Sequence, residues 1–145
     1  MNFIDALHIS ASGLTSQRLR MNVVSSNIAN SHTTRTPEGG PYKRKDVVFS
    51  SHPVGNSFQD MMNSQMSDKL SGVRVVDIID DPGPPILKYD PQHPDADAKG
   101  FVRLPNINMI KEMVNMMSAT RSYEANVTAV KATKNMAQKA LEIGK

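Results

Sequence analysis

The segment Tyr89-Asp-Pro-Gln-His-Pro-Asp-Ala-Asp-Ala-Lys-Gly100 gathers more chemistry-bearing side chains than any other stretch of the chain. Asp90, His93, Asp95 and Asp97 fall within one short loop. Carboxylate oxygens at that density suit a hard divalent cation such as Mg²⁺ or Ca²⁺. The spacing departs from an EF-hand loop, because no glycine stands sixth and no glutamate twelfth from Asp90. Asp and Pro so closely spaced also make an ordinary solvated turn. The turn is the preferred reading, and no metal ligand is assigned.

Other chemistry is sparser still. His8, His32, His52 and His93 are scattered, without a His-x-x-x-His pair that a helix could bring to one face. No serine lies in a Gly-x-Ser-x-Gly setting. Glu38-Gly-Gly-Pro41 lacks the lysine and helix of a phosphate-binding loop. Asp80 and Asp81 are adjacent, so their carboxylates diverge in a strand or turn, a poor start for acid–base work. The chain has no cysteine, which excludes disulfides and thiolate metal sites. No catalytic residue and no cofactor is therefore expected, and an enzyme working through the Asp/His loop is the least supported reading.

The elements that would carry any site are two helices and what lies between them. From Asn106 to Ile143 there is neither Pro nor Gly, so one long helix over 107–143 is expected, roughly 55 Å at about 1.5 Å per residue. Met109, Met113, Met116, Thr120, Tyr123, Val127, Val130, Lys134, Ala137 and Leu141 recur along it in steps of four and three. Such a seam needs a second helix to cover it. Residues 2–30 supply one, with Ile4, Leu7, Ala11, Leu14, Met21 and Ile28 in the same spacing and Arg18 and Ser25 at the intervening positions. Gly13 and many Ser and Asn give it modest intrinsic propensity, so it depends on packing. It should end near Asn30, before Pro37 and the Glu38-Gly-Gly-Pro41 turn.

Between Tyr42 and Leu104 the periodicity becomes strand-like. Asp46–Ser50 and the β-branched run Val73–Ile79 are expected strands. Asp80-Asp-Pro-Gly-Pro-Pro85 is a turn, after which Ile86–Tyr89 is expected to return as a hairpin partner and Gly100–Arg103 to add a further strand. Residues 51–70 fit neither template and are expected to form a flexible loop. The expected fold class is α+β. A helical domain of residues 1–35 and 105–145 pairs as a coiled coil, with a small β-rich module, 36–104, inserted between its halves.

Composition narrows the function classes. The 145 residues carry a formal net charge of +3, distributed as +2 over 1–35, −2 over 36–104 and +3 over 105–145. Neither basic end has the dense positive patch with interleaved aromatics that a nucleic-acid surface needs. No apolar run approaches the ~20 residues of a membrane span, and the N-terminus lacks the basic and apolar regions of a Sec-type signal peptide. Ten methionines and no tryptophan suit adaptable helix interfaces. Amides near the seams (Asn22, Asn27, Asn30, Asn115 and Asn126) could fix register, and Arg121 and Glu124 could form a local pair.

Two motifs carry a resemblance. Ala6-Leu-His-Ile-Ser-Ala-Ser-Gly-Leu-Thr-Ser-Gln-Arg-Leu-Arg-Met-Asn-Val-Val-Ser-Ser-Asn-Ile-Ala-Asn30 resembles the N-terminal signature of flagellar axial proteins, the rod, hook and hook-associated family. Glu112-Met-Val-Asn-Met-Met-Ser-Ala-Thr-Arg-Ser-Tyr-Glu-Ala-Asn126 resembles that family's C-terminal signature. Arg35–Tyr42 and Tyr89–Asn106 are similar to proximal rod members. The resemblance covers residues 1–50 and 72–145. It implies a structural rod subunit that polymerises through its terminal helices around an axial channel, with the middle module outside. It implies other flagellar rod proteins and further copies of the chain as partners, and export through the flagellar type III apparatus to a rod crossing the periplasm. In such a subunit the termini stay mobile before assembly and the middle is protected. On the N-terminal helix the assembly contacts are expected at Leu7, Leu14, Met21, Asn27, Ile28 and Asn30. On the C-terminal helix they are expected at Met113, Met116, Met117, Arg121, Tyr123, Glu124, Asn126, Val127 and Val130. A cytoplasmic coiled-coil adaptor, using the same helices without export, is the alternative.

Overall fold

A computed structural model describes residues 3–53 and 70–143. The elements are α1 (Phe3–Ala29), β1 (Lys45–Pro53), β2 (Ser71–Asp80), β3 (Ile86–Tyr89), β4 (Phe101–Leu104) and α2 (Met109–Ile143). Two long helices pack on each other with a strand module between them in sequence, an α+β arrangement as the sequence predicts.

Each helix ends where its side chains can satisfy the loose backbone groups. α1 closes through Asn30, whose backbone N–H and side-chain amide both donate to the Ser26 carbonyl, at 3.0 and 2.9 Å. α2 opens on Asn108, whose Oδ1 accepts from the Lys111 N–H at 3.1 Å. This is the N-cap geometry that favours an amide or hydroxyl before the first turn. Glu112 lies in that first turn, where a carboxylate suits the helix dipole.

The helices run antiparallel. Gly13 faces Asn126, Met21 faces Thr120 and Asn27 faces Glu112, which fixes the register. A side chain at Gly13 would place its Cβ 2.9 Å from Asn126 Nδ2, so the glycine lets the two helices close up there. The same register sets Phe3 level with Met136, and residues 137–143 of α2 extend past it.

The covered face of α2 differs from the expected seam. Glu112 and Ala119 are its fully buried residues, with Met116, Thr120, Tyr123, Asn126, Val127, Val130, Thr133 and Ala137 among the half-buried ones. At three positions the more buried residue is one earlier than the apolar pattern gives, Glu112 for Met113, Ala119 for Thr120 and Thr133 for Lys134, while Asn126 and Val127 are both half-buried. The cause lies across the interface, where Gly13 admits only a close-lying amide and Asn27 demands a polar partner. α1 is likewise shifted. Its buried residues are Ser16, Val23, Val24 and Asn27, whereas Ile4 and Ala11 of the expected seam are exposed. α1 must cover the β1–β2 sheet as well as α2, so a single stripe cannot serve it.

β1 and β2 pair antiparallel from Lys45↔Asp80 to Pro53↔Ser71, with Val76 as the extra residue where the register shifts at Val48/Phe49. β3 and β4 pair antiparallel from Ile86↔Leu104 to Tyr89↔Phe101 as a separate sheet. Ile86–Tyr89 is therefore not the hairpin partner of the second strand, contrary to the sequence expectation. Pro82, Pro84 and Pro85 between them have no N–H to continue a ladder. The expected loop 51–70 also begins later, since residues 51–53 belong to β1; its residues 54–69 lie outside the described residues.

Both edges of β2 are occupied at Val73. Its outward N–H donates to Ser12 Oγ at 3.1 Å, and its carbonyl accepts from Ser16 Oγ at 3.2 Å. Two serines one turn apart on α1 thus take the place of a neighbouring strand, a way of closing a sheet edge. Gly72, next to Val73 in the strand, is buried. Elsewhere the two-stranded sheets expose Val76, Ile78, Ile79, Ile86, Leu87 and Tyr89. The buried apolar residues Val23, Val24 and Ala119 belong to the helix pair, and Val102 alone to the strands, among the described residues.

Candidate assembly surface

The helix pair is joined to the strand module by a buried polar cluster. Asn27 and Glu112 have relative exposures of 0 and 1%. The Asn27 amide donates to the Lys45 carbonyl at 2.8 Å and to Glu112 Oε2 at 3.1 Å. Its oxygen accepts from the Lys45 N–H at 3.0 Å and from the Tyr42 hydroxyl at 3.1 Å. All four of the amide's hydrogen-bonding positions are filled. The other oxygen of Glu112 accepts from Arg44 Nε at 2.8 Å, and Arg44 Nη1 reaches Asp46 at 3.2 Å and Asp81 at 3.6 Å. Burial works against the Arg44 charge, but hydrogen bonds to Glu112 and Asp46 outweigh it and raise the guanidinium pKa further above its ordinary value. A buried carboxylate is tolerable only with such partners. One side chain of α1, one of α2 and the start of β1 are thereby locked together.

On the other side of α2 an apolar stripe is left uncovered. Ile110, Met113, Val114 and Met117 are 71, 47, 59 and 56% exposed. Their spacing of three and four places them along one face over about two turns. Exposed contiguous apolar side chains of this kind mark interaction sites. The stripe is the counterpart of the seam offset: because Glu112 and Ala119 turn inward, the methionines beside them turn outward.

The expected assembly residues divide between these environments. Leu7, Leu14, Met21 and Ile28 are half-buried on α1, Asn27 is wholly inside the polar cluster, and Asn30 caps the helix. Met116, Tyr123, Asn126, Val127 and Val130 are half-buried on α2. Met113, Met117, Arg121 and Glu124 are exposed, and the i,i+3 ion pair of this helix is Lys139–Glu142 rather than Arg121–Glu124. Glu112, Arg44, Tyr42, Ser12 and Ser16 were not among the expected residues. Glu112 had one signal, a lone carboxylate in the first turn of a helix that also carries Met109, Ile110, Met113 and Val114.

The Asp/His loop uses its side chains on itself. Asp97 Oδ1 accepts from the N–H groups of Phe101 and Lys99, at 3.1 and 2.9 Å, and these bonds hold its carboxyl below the usual aspartate range. Asp95 accepts from Thr34 Oγ1 at 2.8 Å, His93 Nδ1 accepts from the Asp95 N–H at 3.1 Å, and Asp90 pairs with Lys88 at 3.8 Å. Gly100 takes φ +79° against the Tyr89 ring, where a Cβ would be both crowded and strained. Tyr89 and Phe101 meet edge-on at 5.4 Å across the hairpin. Among the described residues no three His or acidic side chains converge on a point that could hold a metal. The loop closes the β3–β4 hairpin and ties it to Thr34.

Comparison with known proteins places these features among flagellar proteins. Residues 7–35 match the family model for flagella basal body rod proteins, and residues 98–143 match the C-terminal model for flagellar basal body rod FlgEFG proteins. The chain is 52% identical to the flagellar basal-body rod protein FlgC of Bacillus subtilis, with both chains fully covered. It is 44% identical to FlgC of Borreliella burgdorferi, over 99% of this chain and 98% of that one. It is 37% identical to FlgC of Salmonella typhimurium, over 99% of both.

Proposed function

Because the chain belongs to the FlgC family of flagellar basal-body rod proteins and is a structural subunit of that rod, we propose that it joins its neighbours through the exposed α2 stripe. The observation that carries this reading is the outward Ile110, Met113, Val114 and Met117, four apolar side chains on a helix whose inner face is already satisfied. In this reading its neighbours are other rod proteins and further copies of itself, meeting in contacts that propagate rather than close. The half-buried residues Leu7, Leu14, Met21, Ile28, Tyr123, Val127 and Val130 hold the helix pair in the shape that presents the stripe. The subunit reaches its place by flagellar type III export and lies where the rod crosses the periplasm. No helix among the described residues is long and apolar enough to cross a membrane. Its relatives are named as rod proteins, not enzymes, and the Asp/His loop acts as a hairpin closure rather than a reactive site.

The test is Val114→Asp combined with Met117→Asp. Both positions are more than half exposed, so the purified variant should keep its helicity and melting behaviour. A strain carrying it should lose soft-agar motility, and its basal bodies should lack the chain. Motility equal to the parent strain, with the variant incorporated, removes the stripe as the assembly surface.

A further inference from the structure

The chain has no cysteine, so its most readily oxidised side chains are methionine thioethers. The described ones divide by environment. Met21 is half-buried between the helices, and its sulfur accepts a hydrogen bond from Thr120 Oγ1 at 3.6 Å. Met116 and Met109 are half-buried as well. Met113 and Met117 stand one turn apart on the uncovered face, each about half exposed, with Ile110 and Val114 beside them. Met136 is exposed too, about five turns past Met117 along the helix.

We propose that Met113 and Met117 form an oxidation-sensitive site on the free subunit, and that converting them to sulfoxides blocks docking of a neighbouring subunit. The second half of this rests on the assembly role given to the stripe. The oxidant is a hydroperoxide. One of its oxygens passes to the thioether sulfur as the O–O bond breaks and an S–O bond forms. The sulfur is oxidised by two electrons, and with hydrogen peroxide the remaining oxygen leaves as water. Each product carries a strong dipole in place of a soft apolar atom, at the centre of a stripe whose use is apolar contact. Once a neighbour covers the stripe the same sulfurs are shielded, so sensitivity belongs to the subunit before assembly.

Two measurements test this. Peroxide-treated purified chain is digested and mapped by mass spectrometry at each methionine. Sulfoxide should form several-fold faster at Met113, Met117 and Met136 than at Met21 and Met116, and equal rates at all five overturn the assignment. In parallel, Met113→Gln with Met117→Gln, which places a polar amide where the sulfoxide would be, is compared with Met113→Leu with Met117→Leu. The glutamine pair should keep its helicity but lose motility, while the leucine pair stays motile. If the glutamine pair is motile although the Val114→Asp, Met117→Asp pair is not, the oxidative block fails and the assembly surface stands. If both are motile, the assembly surface itself is wrong.

Discussion

Asn27 on α1 and Glu112 on α2, both closed to solvent, meet at 3.1 Å through the amide nitrogen of one and a carboxylate oxygen of the other. Each is also held by a second party, Asn27 by the Lys45 backbone and Glu112 by Arg44. The Glu112→Ala variant leaves a buried amide donor and a partly buried guanidinium without their common acceptor. It should lose about 3 kcal/mol of stability in urea denaturation, the lower end for breaking a buried pair, because Arg44 retains Asp46 and Asp81. Adding Asn27→Ala should cost less than the two single losses together, since they share one network. Strict additivity would contradict a coupled cluster.

The serines that close the edge of β2 predict an asymmetry. Ser12→Ala removes the acceptor for the Val73 N–H, whereas Ser16→Ala removes the donor to the Val73 carbonyl. Each should cost about 1 kcal/mol, the usual net worth of one hydrogen bond. Amide hydrogen exchange at Val73 should accelerate mainly in Ser12→Ala. Equal acceleration in both variants would mean that the serines act only through general packing.

At Gly13, two effects oppose each other. Alanine improves helix propensity by about 1 kcal/mol, but its Cβ would push on the Asn126 amide. Asn126 is itself anchored, donating to the Ser122 carbonyl at 2.9 Å. Gly13→Ala alone should therefore be neutral or destabilising, and Gly13→Ala with Asn126→Ser should be more stable than Asn126→Ser alone by much of that propensity term. Thermal unfolding of the three variants decides it. A stabilised Gly13→Ala single variant would show that the amide gives way freely.

The helices and their pairing were legible in the sequence because backbone chemistry alone sets them: nothing between Asn106 and Ile143 interrupts a helix. Which face turns inward was not. Apolar periodicity ranks Met113 above Glu112, and it takes no account of Arg44 and Asn27, which lie far off in sequence and reward a buried carboxylate. The same limit hid Ser12 and Ser16, whose hydroxyls serve a strand more than fifty residues away. Strand pairing was misjudged for a local reason. A proline-rich turn after Asp80 reads as a hairpin connection, but it separates two sheets, and the true hairpin closes through Asp97 and Gly100. The Asp/His loop was read correctly as a turn in kind, though not in what its aspartates bind.

The pH response of that loop follows from Asp97. Its carboxyl is held below the usual range by the N–H groups of Phe101 and Lys99, so the ionised form is favoured in the folded chain. A lowered folded-state pKa contributes stability fully above the unfolded aspartate value of about 3.9, and that contribution is lost as pH falls through the lowered value. Carbon-detected NMR titration should find Asp97 titrating below the usual aspartate range. The Lys99 and Phe101 amide signals should shift with it, and Asp97→Asn should abolish that shift. Titration of Asp97 at the ordinary aspartate value of about 3.9 would refute the capping role.

The buried cluster has a kinetic consequence. Its two main side-chain bonds join residues 85 and 68 positions apart, Asn27 to Glu112 and Arg44 to Glu112. Contacts of such separation close late, because the loop entropy is lost before the contact gives anything back. The first hundred residues can form α1 and its strands, but their amide and guanidinium wait for a carboxylate that arrives only with the final helix. The chain is thus kept from locking until residue 112 is available to fold. The late carboxylate works as a latch whose other half is already in place.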